Sequence, residues 1–248
     1  NLIIAGAGTG KTKVLTTRVA HIIDNNLAFP SQILCVTFTN KAAREMSERV
    51  QQLVSQNMEK MPWMGTFHSI GAKIIRNHAE VIGLKQSFTI LDKDDQLSLI
   101  KQIIKAENLD QSQFSPKLIQ TKIDYWKNKA LNPSDIKSET LDNLVDEKSL
   151  SIYKIYQARL FEINCLDFGD LLLQCINLFN VPDIHKRYSN NFKYIHVDEY
   201  QDTNAAQYKW LKLLASHHQN VCCVGDDDQS IYSWRGAEVD NMLRFEKE

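Results

Sequence analysis

The feature that most constrains the fold of this chain is a series of short apolar runs, each followed by a helical pattern. The runs fall at residues 2–5, 33–36, 64–69, 194–197 and 221–224, and the run at 64–69 is a short strand that ends in polar residues. A run that is apolar at every position is typical of a strand covered on both faces, as in parallel α/β sheets. Strands that alternate with helices predict a parallel sheet with right-handed crossovers. In such sheets, binding and catalytic groups collect at the carboxyl ends of the strands.

The pattern changes between residues 89 and 167, where no strand-like run stands out. Apolar residues there recur at the spacing of amphipathic helices. The helical stretches are residues 97–104, 117–128 and 148–164. We therefore predict one α/β domain built from residues 1–88 and 168–248, with residues 89–167 inserted as an all-helical subdomain.

Net charge is informative only when it is divided by segment. The whole chain has 29 Lys and Arg against 30 Asp and Glu, so its formal charge is −1. Residues 1–88 contain 10 basic and 5 acidic side chains, whereas residues 168–248 contain 8 and 12. The first third is therefore basic and the last third acidic, which permits a local site for a polyanion.

The cysteines and the hydropathy of the chain exclude several classes of protein. The five cysteines are an odd number without CxxC spacing, so neither a disulfide framework nor a zinc site is indicated. No apolar run approaches the roughly 18–20 residues of a membrane span. A reducing, cytoplasmic location is expected. Because the sequence begins with Asn1 rather than Met, we also expect it to be an excerpt of a longer chain.

A phosphate-binding loop follows the first apolar run. The pattern GxxxxGK[ST] begins with Ala5 in place of its first glycine and ends with Lys11 and Thr12. Clustered glycines let backbone N–H groups face phosphate oxygens, with a helix N-terminus behind them. The lysine would reach the β- and γ-phosphates, and the Thr12 hydroxyl would ligate Mg²⁺. The predicted ATP-binding residues are Ala5, Gly6, Ala7, Gly8, Thr9, Gly10, Lys11 and Thr12.

Acidic residues follow the fourth apolar run, in the segment VDEYQD at residues 197–202. An Asp in this place completes the Mg²⁺ shell of P-loop enzymes, which assigns that role to Asp198. The neighbouring Glu199 is placed to polarise an attacking water, which favours hydrolysis over transfer to another substrate. Acidic residues after a strand are also common as solvated turn residues.

The last strand leads into VGDDDQSIYSWRGA at residues 224–237. Its three Asp could form a second metal site, or Gln229 could sense the γ-phosphate. Aromatic residues interleaved with arginine suit single-stranded nucleic acid, because every base offers a face for stacking. By chemistry alone, the aromatic pair Tyr232 and Trp234 is more often part of a core than a stacking platform.

Taken together, six segments identify a family. They are AGAGTGKT (5–12), TFTNKAAREM (37–46), GTFHS (65–69), DFGDLL (167–172), VDEYQDTN (197–204) and VGDDDQSIYSWRGAE (224–238). In this order they closely resemble the superfamily 1 DNA helicases of the UvrD/Rep/PcrA family, over essentially the whole chain. One position departs from the pattern, since Gly169 stands where the family usually has Asp.

The resemblance implies a fold and a set of roles. The fold is a RecA-like ATP-binding motor domain interrupted by a helical subdomain, with ATP and Mg²⁺ as cofactors. Lys11 and Glu199 correspond to catalytic residues, Gln229 to the γ-phosphate sensor, and Thr12 and Asp198 to the magnesium residues. The positions that match the single-stranded DNA path are Phe38, Asn40, Thr66, His68, Tyr232, Trp234 and Arg235. Phe38 stands between two Thr residues, so we expect it to be an exposed aromatic residue on which a base could stack.

The same resemblance implies an ATP-dependent DNA helicase that moves 3′ to 5′, in a pathway such as DNA repair. Its family pattern continues into a second RecA-like domain, so we expect this chain to be the N-terminal motor half and to hydrolyse ATP weakly by itself. One alternative is a truncated module that binds nucleotide and single-stranded DNA without unwinding. Another is a different P-loop enzyme such as a kinase, which has no reason to carry QSIYSWRGA.

Overall fold

The computed structural model describes residues 1–6, 8–55, 61–137, 139, 141 and 143–226. Five predicted site residues, Ala7, Gln229, Tyr232, Trp234 and Arg235, lie outside the described residues. The strands of the described part are β1 (Leu2–Ile4), β2 (Ile33–Thr37), β3 (Met64–Thr66), β4 (Thr89–Leu91), β5 (Cys165–Asp167), β6 (Tyr194–Val197) and β7 (Val221–Gly225).

Helices separate most of these strands, as the apolar spacing predicts. They are α1 (Lys11–Asp24), α2 (Asn40–Leu53), α3 (Phe67–Asn77), α4 (Lys93–Ala106), α5 (Pro116–Asn128), α6 (Leu144–Glu162), α7 (Asp170–Leu178), α8 (Pro182–Asn191) and α9 (Ala205–Ala215). None of the helices in the described ranges is long and apolar enough to cross a membrane.

The five strands predicted from the apolar runs form one parallel sheet in the order β1-β7-β6-β2-β3. Strand β2 is buried along its whole length, which is what its uninterrupted apolar sequence predicts. This confirms the predicted α/β class. Because all five strands run in the same direction, the loops that leave their carboxyl ends emerge along one edge.

Helices α1 and α2 pack against this sheet and supply part of its core. Leu15 and Val19 of α1 and Met46 and Val50 of α2 cluster with Cys35 and other buried strand residues. Helix α2 begins sharply because the Thr39 side chain accepts a hydrogen bond from the N–H of Ala42 (3.1 Å), which satisfies a donor that the helix leaves free. The core thus fixes the starts of two helices near the carboxyl edge.

Contacts between Cα atoms divide the chain into two compact units. One consists of residues 1–70 with the chain from Phe179 onward, and the other of Gly71–Leu178. The second unit is therefore longer at both ends than the predicted insertion of residues 89–167. Its core is formed by apolar residues of α4, α5 and α6, among them Ile103, Ile123 and Tyr153.

The second unit differs from the all-helical prediction at one place. Strands β4 and β5 pair in parallel, with Thr89 beside Cys165 and Leu91 beside Asp167. Each strand has only three residues. A run this short carries almost no periodic signal, so the pairing between residues distant in sequence could not be predicted from local pattern. The prediction is corrected to a mainly helical unit with a two-stranded sheet.

Candidate active site

The phosphate-loop sequence forms a turn between β1 and α1. Gly8 and Gly10 have positive φ angles of 75° and 94°, which glycine adopts at little cost. A Cβ atom placed on Gly6 or Gly8 would meet nothing within 4 Å, so the inner side of the turn is open. Ala5 continues the sheet by donating its N–H to Gly225 O at 3.0 Å, and its φ is not positive. An alanine is therefore compatible with the first position of the motif.

The Lys11 side chain reaches the sheet edge beside β7. Its Nζ donates to the carbonyl oxygen of Ala5 at 2.7 Å and to Oδ2 of Asp226 at 3.0 Å. Both partners of the ion pair are well covered, since Lys11 is 9% and Asp226 1% exposed. A charge-assisted hydrogen bond in such surroundings is stronger than one on the surface. Asp226 was mentioned in the sequence only as part of an acidic triplet, and its pairing with Lys11 was not predicted.

Thr12 and Asp198 lie together, as expected for two residues that share a metal ion. The Thr12 hydroxyl donates to Oδ2 of Asp198 at 3.2 Å. Asp198 is almost completely buried, and burial raises the pKa of its carboxyl, with the neighbouring charge of Glu199 acting in the same direction. A cation beside this carboxylate would offset the cost of burying its charge.

The chemistry of these ligands fits magnesium. Mg²⁺ prefers oxygen ligands and is usually held by one or two carboxylates together with substrate phosphates, rather than by a cage of protein side chains. Within the described ranges, no group of three or more His, Cys, Asp or Glu side chains could hold a metal ion by itself. Thr12 and Asp198 therefore fit a cation that arrives with a nucleotide.

Glu199 follows Asp198 and has a left-handed backbone with φ of 54°, which is uncommon for a residue other than glycine. Its N–H donates to Oδ1 of Asp198 at 3.1 Å. Its Oε2 accepts a hydrogen bond from Nε2 of Gln201 at 2.8 Å, and Oε1 of Gln201 accepts from the N–H of Asp226 at 3.0 Å. The sequence alone assigned no role to Gln201, although its position in the segment VDEYQD, beside Asp198 and Glu199, indicates that it lies close to the site.

The predicted DNA-path residues of the described part follow β2 and β3, which are neighbours in the sheet. Thr37 and Thr66, the last residues of these strands, lie beside each other. Asn40 is exposed at the first position of α2. Thr66 and Ser69 exchange hydrogen bonds at the start of α3. His68 is half-buried, and burial lowers the pKa of its imidazole.

Phe38 differs from the expectation of an exposed aromatic residue. It is half-buried because its ring packs against Phe67, with ring centroids 5.4 Å apart. Phe67 in turn packs against Trp210 at 5.8 Å. Only part of the Phe38 ring is exposed to solvent, because Phe67, itself packed against Trp210, covers the rest. The spacing of polar residues around Phe38 could not reveal this packing.

The departure at Gly169 has a steric reason. A Cβ atom at this position would lie 2.8 Å from Cδ and 2.9 Å from Cβ of Lys127. Lys127 is fully buried and pairs with Asp167 at 2.7 Å and Asp170 at 2.8 Å, the two acidic residues of DFGDLL. In this chain, the space beside the glycine is filled by the lysine stem.

Comparison with known proteins agrees with the motifs. Residues 1–248 match the model of the family described as UvrD/REP helicase N-terminal domain. The chain is 53% identical over 251 residues to a protein of Rickettsia typhi named DNA helicase II, and 50% identical over 248 residues to ATP-dependent DNA helicase PcrA of Staphylococcus aureus. Both matches cover 100% of this chain but only 38% and 34% of those relatives, so the chain spans little more than a third of their length.

Proposed function

We propose, from the premise that this chain belongs to the UvrD/REP helicase N-terminal domain family, that it is the ATP-binding motor part of a DNA helicase or translocase. The observation that carries the proposal is the set of contacts at the carboxyl edge. Lys11 meets Asp226, Thr12 meets Asp198, and Glu199 is held by Gln201. These pairs come from loops after three adjacent strands, β1, β7 and β6.

In the proposed reaction, the phosphate loop and Lys11 bind the phosphates of ATP. When ATP binds, Lys11 would give up part of its contact with Asp226 and donate a hydrogen bond to a phosphate oxygen instead. Thr12 and Asp198 would hold Mg²⁺, which supplies positive charge to the phosphate oxygens when it is bound. The positive end of helix α1 faces the same loop and favours anions.

Glu199 is the proposed base for the attacking water. The bond between the water oxygen and the γ-phosphorus forms as the bond from that phosphorus to the bridging oxygen breaks, and ADP keeps the electron pair. Glu199 accepts the proton released by the water. Gln229 is proposed as the γ-phosphate sensor on the basis of the family motif.

The DNA-binding part of the proposal rests on where the motif residues lie in the fold and not on contacts between their side chains. Phe38 and Asn40 follow β2, which lies beside β6, the strand before Asp198, and Thr66 and His68 lie at the end of β3. The motif positions Tyr232, Trp234 and Arg235 would complete a path for single-stranded DNA, followed in the 3′ to 5′ direction. Contacts to phosphates and stacking on bases are tolerant of sequence, so we expect no base preference.

The alternative is a module that binds nucleotide and single-stranded DNA without unwinding. It is favoured by the length of the match, since the chain spans only 34–38% of the relatives named above. In P-loop enzymes an arginine finger contributes about 10³- to 10⁵-fold in turnover. If that group lies in another domain, this chain alone would bind ATP but hydrolyse it slowly.

The test measures nucleotide and DNA binding separately. The affinity for a fluorescent ADP analogue is measured with and without Mg²⁺, and the affinity for a single-stranded oligonucleotide is measured over a range of salt. Lys11→Ala should weaken nucleotide binding and leave DNA binding intact, whereas Trp234→Ala should weaken binding of the oligonucleotide and spare nucleotide binding. Equal nucleotide affinity in wild type and Lys11→Ala would remove the basis of the proposal.

A further inference from the structure

Gln201 lies between the two halves of the proposed catalytic cluster. It is only 1% exposed, and it belongs to the short turn that follows Asp198 and Glu199. Its amide nitrogen donates to Oε2 of Glu199 at 2.8 Å, while its amide oxygen accepts from the N–H of Asp226 at 3.0 Å. A single buried side chain thus connects the loop after β6 with the loop after β7.

The orientation of this amide is fixed by the chemistry of its partners. A carboxylate can only accept a hydrogen bond, and a backbone N–H can only donate one. Turning the amide over would place its oxygen against Glu199 and its nitrogen against the N–H of Asp226, so both contacts would become repulsive. Because the site is buried, water cannot readily replace the lost partners. Only one orientation of Gln201 satisfies both neighbours.

Glu199 needs such a contact to occupy one position. Its backbone is held by the hydrogen bond from its N–H to Asp198, at a left-handed φ. The carboxylate lies beyond three rotatable side-chain bonds, which this backbone contact does not fix. A base that activates water must be held close to its productive geometry, because displacement by about 1 Å can cost roughly 100-fold in rate.

Asp226 links the same side chain to the phosphate loop. Its backbone N–H binds Gln201, and its carboxylate binds Nζ of Lys11 at 3.0 Å. A movement of Lys11 toward a phosphate would therefore act on Asp226, and a movement of Asp226 would act on Gln201 and Glu199. The route consists of three consecutive contacts between groups that are buried or, in the case of Glu199, half-buried.

We propose that Gln201 is a positioning residue for ATP hydrolysis, which holds the Glu199 carboxylate and couples its position to that of Asp226 and Lys11. The inference rests on the proposed function and deepens it. It assigns Gln201 no contact with the substrate. Its loss should therefore slow the chemical step much more than it weakens nucleotide binding.

The experiment compares two substitutions made in the complete coding sequence that contains this chain. Gln201→Leu removes both hydrogen bonds. Gln201→Glu keeps an oxygen that can accept from Asp226 but replaces the donor to Glu199 by a second negative charge. Gln207→Leu is the matched control, because Gln207 is also a buried glutamine that accepts from a backbone N–H, that of Asn204, at 2.9 Å.

Three quantities are measured for each protein: the affinity for a fluorescent ADP analogue, the kcat of ATP hydrolysis and the Tm. For Gln201→Leu we expect an affinity within about threefold of wild type and a kcat lowered roughly 10- to 100-fold. For Gln207→Leu we expect a lower Tm with kcat unchanged. Unchanged kcat in Gln201→Leu overturns the inference. Parallel losses of affinity and kcat also overturn it, since they indicate a general structural role.

The exchanged pair Glu199→Gln with Gln201→Glu separates positioning from catalysis. Here the amide at 199 can donate to the carboxylate at 201, which can still accept from Asp226. We expect the exchanged pair to have a higher Tm than Gln201→Glu alone, while hydrolysis stays low because the base has moved. A Tm no higher than that of Gln201→Glu contradicts the inferred contact. A wild-type protein that does not bind nucleotide overturns the proposed function itself, whereas an active wild type with unaffected Gln201 variants overturns only this inference.

Discussion

Two lysine–aspartate pairs in this chain have similar chemistry and different surroundings. Lys11 binds one carboxylate, that of Asp226, and one carbonyl oxygen at the edge of the sheet. Lys127 is 0% exposed and binds two carboxylates, Asp167 and Asp170, inside the mainly helical unit. The first pair lies beside an open glycine loop, whereas the second is enclosed on all sides.

The difference extends to the partners of each carboxylate. Asp167 also accepts from the Tyr156 hydroxyl at 2.9 Å and from the N–H of Asp170 at 2.9 Å. Burial alone would lower the pKa of Lys127, but the charges of Asp167 and Asp170 outweigh it and raise that pKa above its ordinary value. Lys127 is therefore held in its charged form by buried partners, whereas a ligand phosphate could compete with Asp226 for Lys11.

The largest effect that tests this comparison is expected from Lys127→Met. The variant keeps the length of the side chain and leaves two buried carboxylates without a cation, which typically costs about 3–5 kcal/mol. The free energy of unfolding is measured by urea denaturation. Lys11→Met serves as the matched change at the sheet edge and should cost clearly less. Equal losses in the two variants would show that both pairs are structural.

The second effect concerns nucleotide affinity. Lys11→Ala should weaken binding of an ADP analogue by at least about 100-fold, or about 2.7 kcal/mol, because the loop loses its cation. The measurement is a fluorescence titration in the presence of Mg²⁺. A Lys117→Ala variant, altered at an exposed position of α5, is the control and should bind as wild type does. If Lys11→Ala bound the ADP analogue as tightly as wild type, the ion pair between Lys11 and Asp226 would have a structural role and no role in nucleotide binding.

The third effect is a pH dependence of stability caused by a buried histidine that has no hydrogen-bond partner. His196 in β6 is 1% exposed, and neither ring nitrogen has a hydrogen-bond partner. Burial, reinforced by the charge of Arg18, lowers its pKa to about 3, from 6.5 in the unfolded chain. As pH falls below 6.5, the unfolded chain binds a proton that the folded chain does not, so stability decreases.

The expected loss from His196 is roughly 2 kcal/mol between pH 6.5 and 4.5. Urea denaturation at several pH values should show this loss in wild type and a smaller one in His196→Met, which cannot titrate. If the stability of wild type and of His196→Met depended on pH in the same way, His196 would take up a proton as readily in the folded protein as in the unfolded chain.

The smallest effect tests the packing around the enclosed pair. Gly169→Ala would place a Cβ atom 2.8 Å from Cδ of Lys127 and should cost about 1 kcal/mol through overpacking. Gly6→Ala is the control at the open loop, where an added Cβ meets nothing within 4 Å. Unfolding in urea compares the two variants. A neutral Gly169→Ala would mean that the Lys127 stem shifts without losing its partners.

Several features were predictable because they depend on neighbours in the sequence. The apolar runs predicted all five strands of the main sheet, and the glycine spacing predicted the turn before Lys11. The two residues expected to share a metal ion, Thr12 and Asp198, lie together because each follows a strand of one parallel sheet. The rule that functional residues collect at the carboxyl ends of parallel strands predicted this contact, although the strand order was not known.

Other features were missed because their cause is packing. Phe38 was expected to be exposed, but its ring lies against Phe67. The pairing of β4 with β5 joins residues more than 70 positions apart, and each strand is too short to give a signal. The buried Lys127 was not recognised either, since a lysine in an amphipathic helix normally faces water.

The sequence by itself determined the elements of this protein, its phosphate loop and the family to which it belongs, because these depend on residue types at fixed short spacings. Only the tertiary structure decided which acidic residue pairs with which lysine. Lys11 and Asp226 are 215 positions apart and meet because β7 lies beside β1 in the sheet. Strand order is set by the packing of the whole core, and no local pattern encodes it.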